Sequence, residues 1–250
     1  MQCTTTKEAF HELVSRAEKV TGKNTTLPVL SCILLTVKGN QLTIIATNLE
    51  VGVEYSLPIK DGDDGVVAVS GAVLVQVVST MERGATVTFE SSTSHLTVSG
   101  AGGAAKIALE DVSEFPALPV VENGTTLTIP GEALRDAVTS VSYCASTSTI
   151  KPELSSVFVH PDGGQLIAAA TDSFRLAEKR IPLKDPVSVE PFLIPARSAV
   201  ELLKVLELTD DAVTLDVSEH QLSLRVPGTY LTLRLVAGTF PDYQQIIPKE

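Results

Sequence analysis

The sequence predicts an α+β protein built from one domain repeated in tandem, each copy with two helices on one face and antiparallel sheets on the other. Three observations lead there: segments recur at a constant offset, four stretches carry an apolar stripe of helical period, and the stretches between them alternate with period two. Leu30-Ser31-Cys32 returns as Leu154-Ser155-Ser156. Gln41-Leu42 with Ala46-Thr47-Asn48 returns as Gln165-Leu166 with Ala170-Thr171-Asp172, and Phe115-Pro116 returns as Phe240-Pro241. The offsets are 124, 124 and 125 residues. Chance matches would scatter, so the register holds across a whole domain. The two domains are expected at 1–120 and 124–250, parted where Leu118-Pro119 and Glu122-Asn123-Gly124 break the pattern near residues 118–126.

In chain order, the first helix carries Phe10, Leu13, Val14 and Ala17 at spacing i, i+3, i+4, i+7, and Thr5 with Glu8 fits a capping box. Period-two alternation follows: Leu42, Ile44 and Ala46 against Thr43, Ile45 and Thr47. Lys38-Gly39-Asn40 and Asp61-Gly62-Asp63-Asp64-Gly65 read as turns. A second helix carries Leu74, Val77, Val78 and Met81, and Thr86-Val87-Thr88-Phe89 reads as a strand. The second copy repeats the order. Its helices carry Leu134, Ala137, Val138 and Val141, then Ala199, Leu202, Leu203 and Leu206. Pro130 and Pro195 stand where a first helical residue belongs, Asp162-Gly163-Gly164 is a turn, and Leu222-Ser223-Leu224-Arg225 is a strand. Each copy thus reads helix, strands, helix, strands.

At 250 residues and 44% hydrophobic, the chain has room for two domains with cores of their own. No stretch approaches the ~18 apolar residues of a membrane span, and the N-terminus lacks the apolar core of a signal peptide, so no membrane partner and a cytoplasmic location are expected. Cys3, Cys32 and Cys144 are odd in number and widely spaced, which argues against a disulfide framework or a metal site. No cofactor is expected. There is no Gly-rich phosphate loop, no nucleophile elbow and no His pair at metal spacing, so the chain is read as non-catalytic. Cys144 follows an apolar stripe and reads as structural; His11 and His95 stand without partners and read as surface residues.

The net charge is −11, yet the polar faces of the four helices are close to balanced. They carry His11, Ser15 and Lys19, then Gln76, Ser79 and Arg83, then Thr139, Ser140 and Tyr143, then Arg197 and Lys204, against Glu8, Glu12, Asp136 and Glu201. Most of the negative charge therefore lies elsewhere. On charge alone this is an acidic, solubilising surface. The functional reading is a set of helices that meets a polyanion without gripping it.

Thr26-Leu27-Pro28-Val29-Leu30, Ala46-Thr47-Asn48-Leu49-Glu50, Pro152-Glu153-Leu154, Ala170-Thr171-Asp172-Ser173-Phe174-Arg175-Leu176-Ala177 and Gly238-Thr239-Phe240-Pro241-Asp242-Tyr243 resemble the bacterial sliding clamp, the β subunit of DNA polymerase III. The resemblance covers the whole chain. It implies the DNA-clamp fold, a homo-oligomeric ring with helices inside and sheets outside, and a processivity factor for DNA replication. Such a ring encircles duplex DNA without regard to sequence. It tethers the polymerase III catalytic subunit, the clamp loader, and other polymerases and repair proteins that carry short linear motifs.

By position, the resemblance assigns a partner-peptide pocket to Leu154, Thr171, Arg175, Leu176, Pro241 and Ile246. It assigns DNA contacts to Lys23, Lys151 and Arg197, and the ring joint to the strand with Lys106, Ile107 and Leu109. Gln245 stands where some clamps place an arginine, and Ser70-Gly71-Ala72 lacks the basic residues many clamps carry. The family has three copies per chain and this sequence has two, so the third clamp domain is expected to be absent from it and the pocket partial. The alternatives are a two-domain chain that closes a ring as a trimer, and a fragment that binds partner peptides but does not encircle DNA.

Overall fold

The structure is a computed structural model that describes residues 1–22, 27–183 and 188–247. Two compact units divide the chain: Met1–Pro119 with Pro227–Thr232, and Val120–Val226 with Leu233–Glu250.

The first unit opens with β1 (Gln2–Thr6) and α1 (Lys7–Glu18), then β2 (Cys32–Lys38), β3 (Gln41–Thr47), β4 (Val51–Pro58), β5 (Gly62–Asp63) and β6 (Gly65–Ser70). After α2 (Gly71–Ser79) come β7 (Thr86–Ser91), β8 (His95–Gly100) and β9 (Gly103–Glu110). The strands lie in the order β4-β3-β2-β6-β9-β8-β7-β1-β5. β6 reaches β9 only at Ala68↔Glu110 and Val69↔Leu109. The second unit repeats the plan with β10 (Thr125–Pro130), α3 (Gly131–Ser142), β11 (Ser156–Asp162), β12 (Gln165–Thr171), β13 (Leu176–Pro182), β14 (Phe192–Pro195), α4 (Ala196–Leu206), β15 (Ala212–Val217) and β16 (Gln221–Val226); β17 (Thr229–Arg234) follows, its Thr229–Thr232 counted with the first unit. One of its sheets runs β13-β12-β11-β14, and β10-β15-β16 form the other. The expected α+β architecture is therefore present twice. The registers also repeat: Ile45↔Glu54 becomes Ala169↔Glu178, and Thr36↔Thr43 becomes His160↔Ile167, each 124 residues on.

The helical stripes bury most of the residues that their spacing selects, with Leu13 and Val77 half-buried. Phe10, Val14 and Ala17 of α1 are buried, and so are Leu134, Ala137, Val138 and Val141 of α3. Within each unit the two helices pack on one another and α1 or α3 lies against the strands. In the first unit, the rings of Phe10 and Phe89 meet at 4.4 Å between centroids, both fully buried.

Five expectations need correction. Each unit begins with a strand, β1 or β10, not with a helix. Gln2–Thr6 has a single buried residue, Cys3, and becomes a strand through pairing with β7, a tertiary contact with little local signal. That pairing holds Thr5 extended opposite Val87, so Thr6 becomes the N-cap and no capping box forms. Glu8 instead accepts the Gly84 N–H at 2.7 Å. Pro130 and Pro195 are N-caps with ψ of 124° and 129°, because each still pairs as the last residue of a strand. In α4 Val205 and Leu206 are both buried in the last turn, while Leu203 is half-buried; Met81 is buried but lies beyond the end of α2. Finally, the turn read at 61–65 contains β5, which pairs Gly62 and Asp63 with Cys3 and Gln2.

Gly131 marks a close approach. Its N–H donates to Asp211 O, and a Cβ there would sit 2.6 Å from that oxygen. Gly163 and Gly164, with φ of +54° and +86°, turn the β11–β12 hairpin. The three cysteines are buried and unpaired.

Replacing Phe89 by Ala removes one partner of the Phe10 contact and leaves a cavity. The expected loss is about 3–5 kcal/mol, read as an earlier unfolding transition of the first unit in urea followed by circular dichroism.

Candidate functional site

The loops at the ends of β3 and β12 share one construction. Thr47 Oγ1 donates to Val51 O at 2.9 Å and accepts the Leu49 N–H. Asn48 Oδ1 accepts the N–H groups of Glu50 and Val51. One repeat later, Thr171 Oγ1 donates to Arg175 O at 2.7 Å and accepts the Ser173 N–H, while Asp172 Oδ1 accepts from Phe174 and Arg175. Leu49 and Ser173 hold φ of +73° and +75°. Neither is glycine, so the side-chain hydrogen bonds oppose local strain. In the second copy a carboxylate replaces the amide. The two backbone N–H groups, with Arg175 Nε at 2.9 Å, hold the Asp172 carboxyl below its ordinary range.

This loop displays an aromatic face to which the sequence assigned no role. Phe174 is 98% exposed and Tyr143, just past α3, is 63% exposed. The Arg175 guanidinium stands 5.9 Å from the Tyr143 ring centre, a cation–π contact. The first copy has Lys19 and Glu50 at the positions matching Tyr143 and Phe174, so this aromatic face belongs to the second copy.

Of the six residues assigned to the peptide pocket, Thr171 and Arg175 are joined through this loop. Leu176 packs on the buried cluster of Ala169, Leu193, Phe240 and Tyr243. Pro241 and Ile246 are exposed on either side of buried Tyr243. Leu154 is buried at the close of a turn where its N–H donates to Lys151 O. Phe158 and Phe240 stack at 4.7 Å, and both line an adjoining cleft of 430 Å³ with Phe192, Leu193, Val236 and His220. None of the six assigned residues lines that cleft.

For the assigned DNA contacts, Lys23 lies outside the described residues. Lys151 and Arg197 are both exposed. Ser155 brings their segments together, since its N–H donates to Lys151 O and its carbonyl accepts the N–H of Ala196, at the start of α4. On the assigned joint strand, Lys106 is exposed and Leu109 half-buried, but Ile107 is taken into the core. Among the described residues, the side of β9 away from β8 is paired only at Leu109 and Glu110. Among the described residues there is no cluster of His, Cys, Asp or Glu able to hold a metal, and no helix long and apolar enough to cross a membrane.

The N-terminal domain of the DNA polymerase III beta subunit matches residues 1–119, and its central domain matches residues 128–242. The chain belongs to the beta sliding clamp family. The beta sliding clamp of Bacillus subtilis is 26% identical over 260 residues, covering all of this chain and 68% of the relative. That of Halalkalibacterium halodurans is 24% identical, covering 98% and 67%. The chain thus spans about two thirds of the length of these clamps. Among solved structures, the DNA polymerase III subunit beta of Pseudomonas aeruginosa superposes with a TM-score of 0.94 at 23% identity, covering all of this chain and 69% of its own. A sliding clamp of the same organism bound to griselimycin gives 0.92 at 24% identity, covering 100% and 68%.

The depressed Asp172 carboxyl contributes loop stability that is present above the ordinary Asp value of about 3.9 and is lost as pH falls through the lower folded value. The Phe174 and Arg175 amide resonances are expected to titrate with a midpoint below about 3.9. Asp172→Asn is expected to abolish that titration and keep the loop, as Asn48 does in the first copy. NMR across acidic pH checks both.

Proposed function

We propose that this clamp-family chain serves as a DNA polymerase processivity factor in the cytoplasm. It takes part in a ring around duplex DNA and tethers polymerase, clamp loader and repair proteins through the face formed by the β12–β13 loop and the 240–246 segment. The observation that carries this reading is the match of both copies, in order, to the first two domains of the family. The domain limits proposed are 1–120 and 124–250.

Charge placement supports a sliding contact. The four helices carry five basic residues against six acidic ones, while the chain has 19 against 30. Nearly neutral helices meet phosphates without the counterion release that makes a tight, static grip. Lys151 and Arg197, brought together at one end of α4, are the proposed DNA contacts, with Lys23. Lys106 and Leu109 are the proposed joint residues, and Ile107 contributes there by holding the strand to its core.

The pocket reading rests on the positions that the resemblance assigns, with apolar Leu154, Leu176, Pro241 and Ile246 and polar Thr171 and Arg175. A hydrophobic peptide anchor would cover Ile246, which is 68% exposed.

Retention on nicked circular DNA tests the reading. The chain is expected to stay with the circle through a rise in salt and to leave when the circle is cut. Equal retention on linear DNA, or loss in salt before cutting, would refute encirclement. Light scattering of the same sample distinguishes the forms. A species of 26.4 kDa needs further clamp domains to close a ring, whereas a trimer closes one from two-copy chains.

A further inference from the structure

One polar network in the second copy has no counterpart in the first. Tyr243 is 4% exposed, and its hydroxyl donates to Glu178 Oε2 on β13 at 2.8 Å. The same hydroxyl lies 3.0 Å from His160 Nε2 on β11. Because the phenol hydrogen is committed to the carboxylate, the His160 Nε2–H donates to the phenol oxygen. The other Glu178 oxygen accepts from Arg180 Nε at 3.0 Å. Burial, then the hydrogen bond to Glu178 and its negative charge, push the Tyr243 phenol well above its ordinary value. The donor therefore stays protonated at any physiological pH.

The first copy shows that the fold does without this network. The strand registers are the same, so Glu178 matches Glu54 and His160 matches Thr36, while Tyr243 matches Leu118 at the offset of the Phe-Pro pair. Leu118 lies against β4, where a Cβ on Gly52 would come 2.5 Å from its Cδ2. An apolar strap suffices in that copy. In the second copy the strap carries Pro241 and Ile246, and the three-way hydrogen bond ties it to two different strands.

We propose that Glu178, Tyr243 and His160 are positioning residues for the partner-peptide pocket, locking the 240–246 wall in one place against β11 and β13. This rests on the pocket reading above. Packing of Phe240 on Phe158 holds the wall by apolar contact, which is less directional than a hydrogen bond. Two hydrogen bonds converging on one buried oxygen from separate strands define its place in two directions. Pro241 and Ile246 touch the incoming anchor; the network acts through them.

The test uses the full chain and two measurements. Hydrogen exchange reads the amides of residues 240–247, and calorimetry reads the binding of griselimycin, the ligand held by solved clamps of Pseudomonas aeruginosa and Bartonella birtlesii. Tyr243→Phe keeps the ring and removes the hydroxyl. Exchange in 240–247 is expected to quicken about tenfold and griselimycin to bind about tenfold more weakly, roughly 1.4 kcal/mol, with the thermal midpoint little changed. Glu178→Ala is expected to do the same. Glu178→Gln, which keeps an acceptor oxygen, is expected to restore both readouts toward the parent. Unchanged exchange in Tyr243→Phe overturns the inference, and so does quickened exchange with unchanged griselimycin affinity. If the parent chain itself does not bind griselimycin while exchange responds as expected, the pocket reading fails and the wall-locking network stands.

Discussion

In both units a threonine hydroxyl and the Asx side chain after it close the turn between two neighbouring strands, and the side chains that the second copy's loop displays follow from that closure. Thr171 and Asp172 together satisfy three backbone N–H groups and one carbonyl within five residues. This leaves β12 and β13 one register, with Thr171 opposite Leu176. A slip of one residue would turn every side chain of β13 to the opposite face. Glu178 would then face away from Tyr243, and Leu176 would leave the cluster of Phe240 and Leu193. The loop is small, but Leu176 and Glu178, the β13 residues that meet Phe240 and Tyr243, both inherit their positions from it.

The two copies solve one packing problem with different chemistry. Where the first has Asn48, Glu50, Thr36 and Leu118, the second has Asp172, Phe174, His160 and Tyr243. The backbone hydrogen bonds at the loop are retained, so these exchanges leave the framework alone and change what it displays. The second copy gains an exposed ring at Phe174, a guanidinium poised over Tyr143, and a buried hydroxyl shared between two strands. Such additions are hard to account for by stability alone. A fully exposed Phe side chain contributes no burial, and the Asp172–Arg175 pair lies at the surface, where ion pairs are worth little.

Charge is distributed by element. The strands and loops hold the acidic excess, whereas the helices are nearly neutral. α2 has no charged residue at all, and its exposed Val73 and Gln76 are uncharged. A net charge of −11 would by itself argue against a polyanionic partner. Its separation from the helices removes that objection.

The sequence by itself determined the repeat, the four helices and the period-two strands. Each is a local pattern of apolar residues whose spacing survives without knowledge of the partner. It also marked the Thr-Asx loop and the Phe-Pro-Asp-Tyr segment, since both recur or stand out as motifs. Only the tertiary structure decided the rest. Gln2–Thr6 is a strand because β7 is there to pair with it, and Glu8 serves Gly84, which is distant in sequence. Ile107 belongs to the core because alternation along β9 turns it inward between exposed Lys106 and Ala108. Tyr243, Glu178 and His160 meet across 83 residues of chain. No periodicity connects them, because a hydrogen bond between distant strands leaves no spacing in the sequence; it depends on the register that the folded sheet imposes.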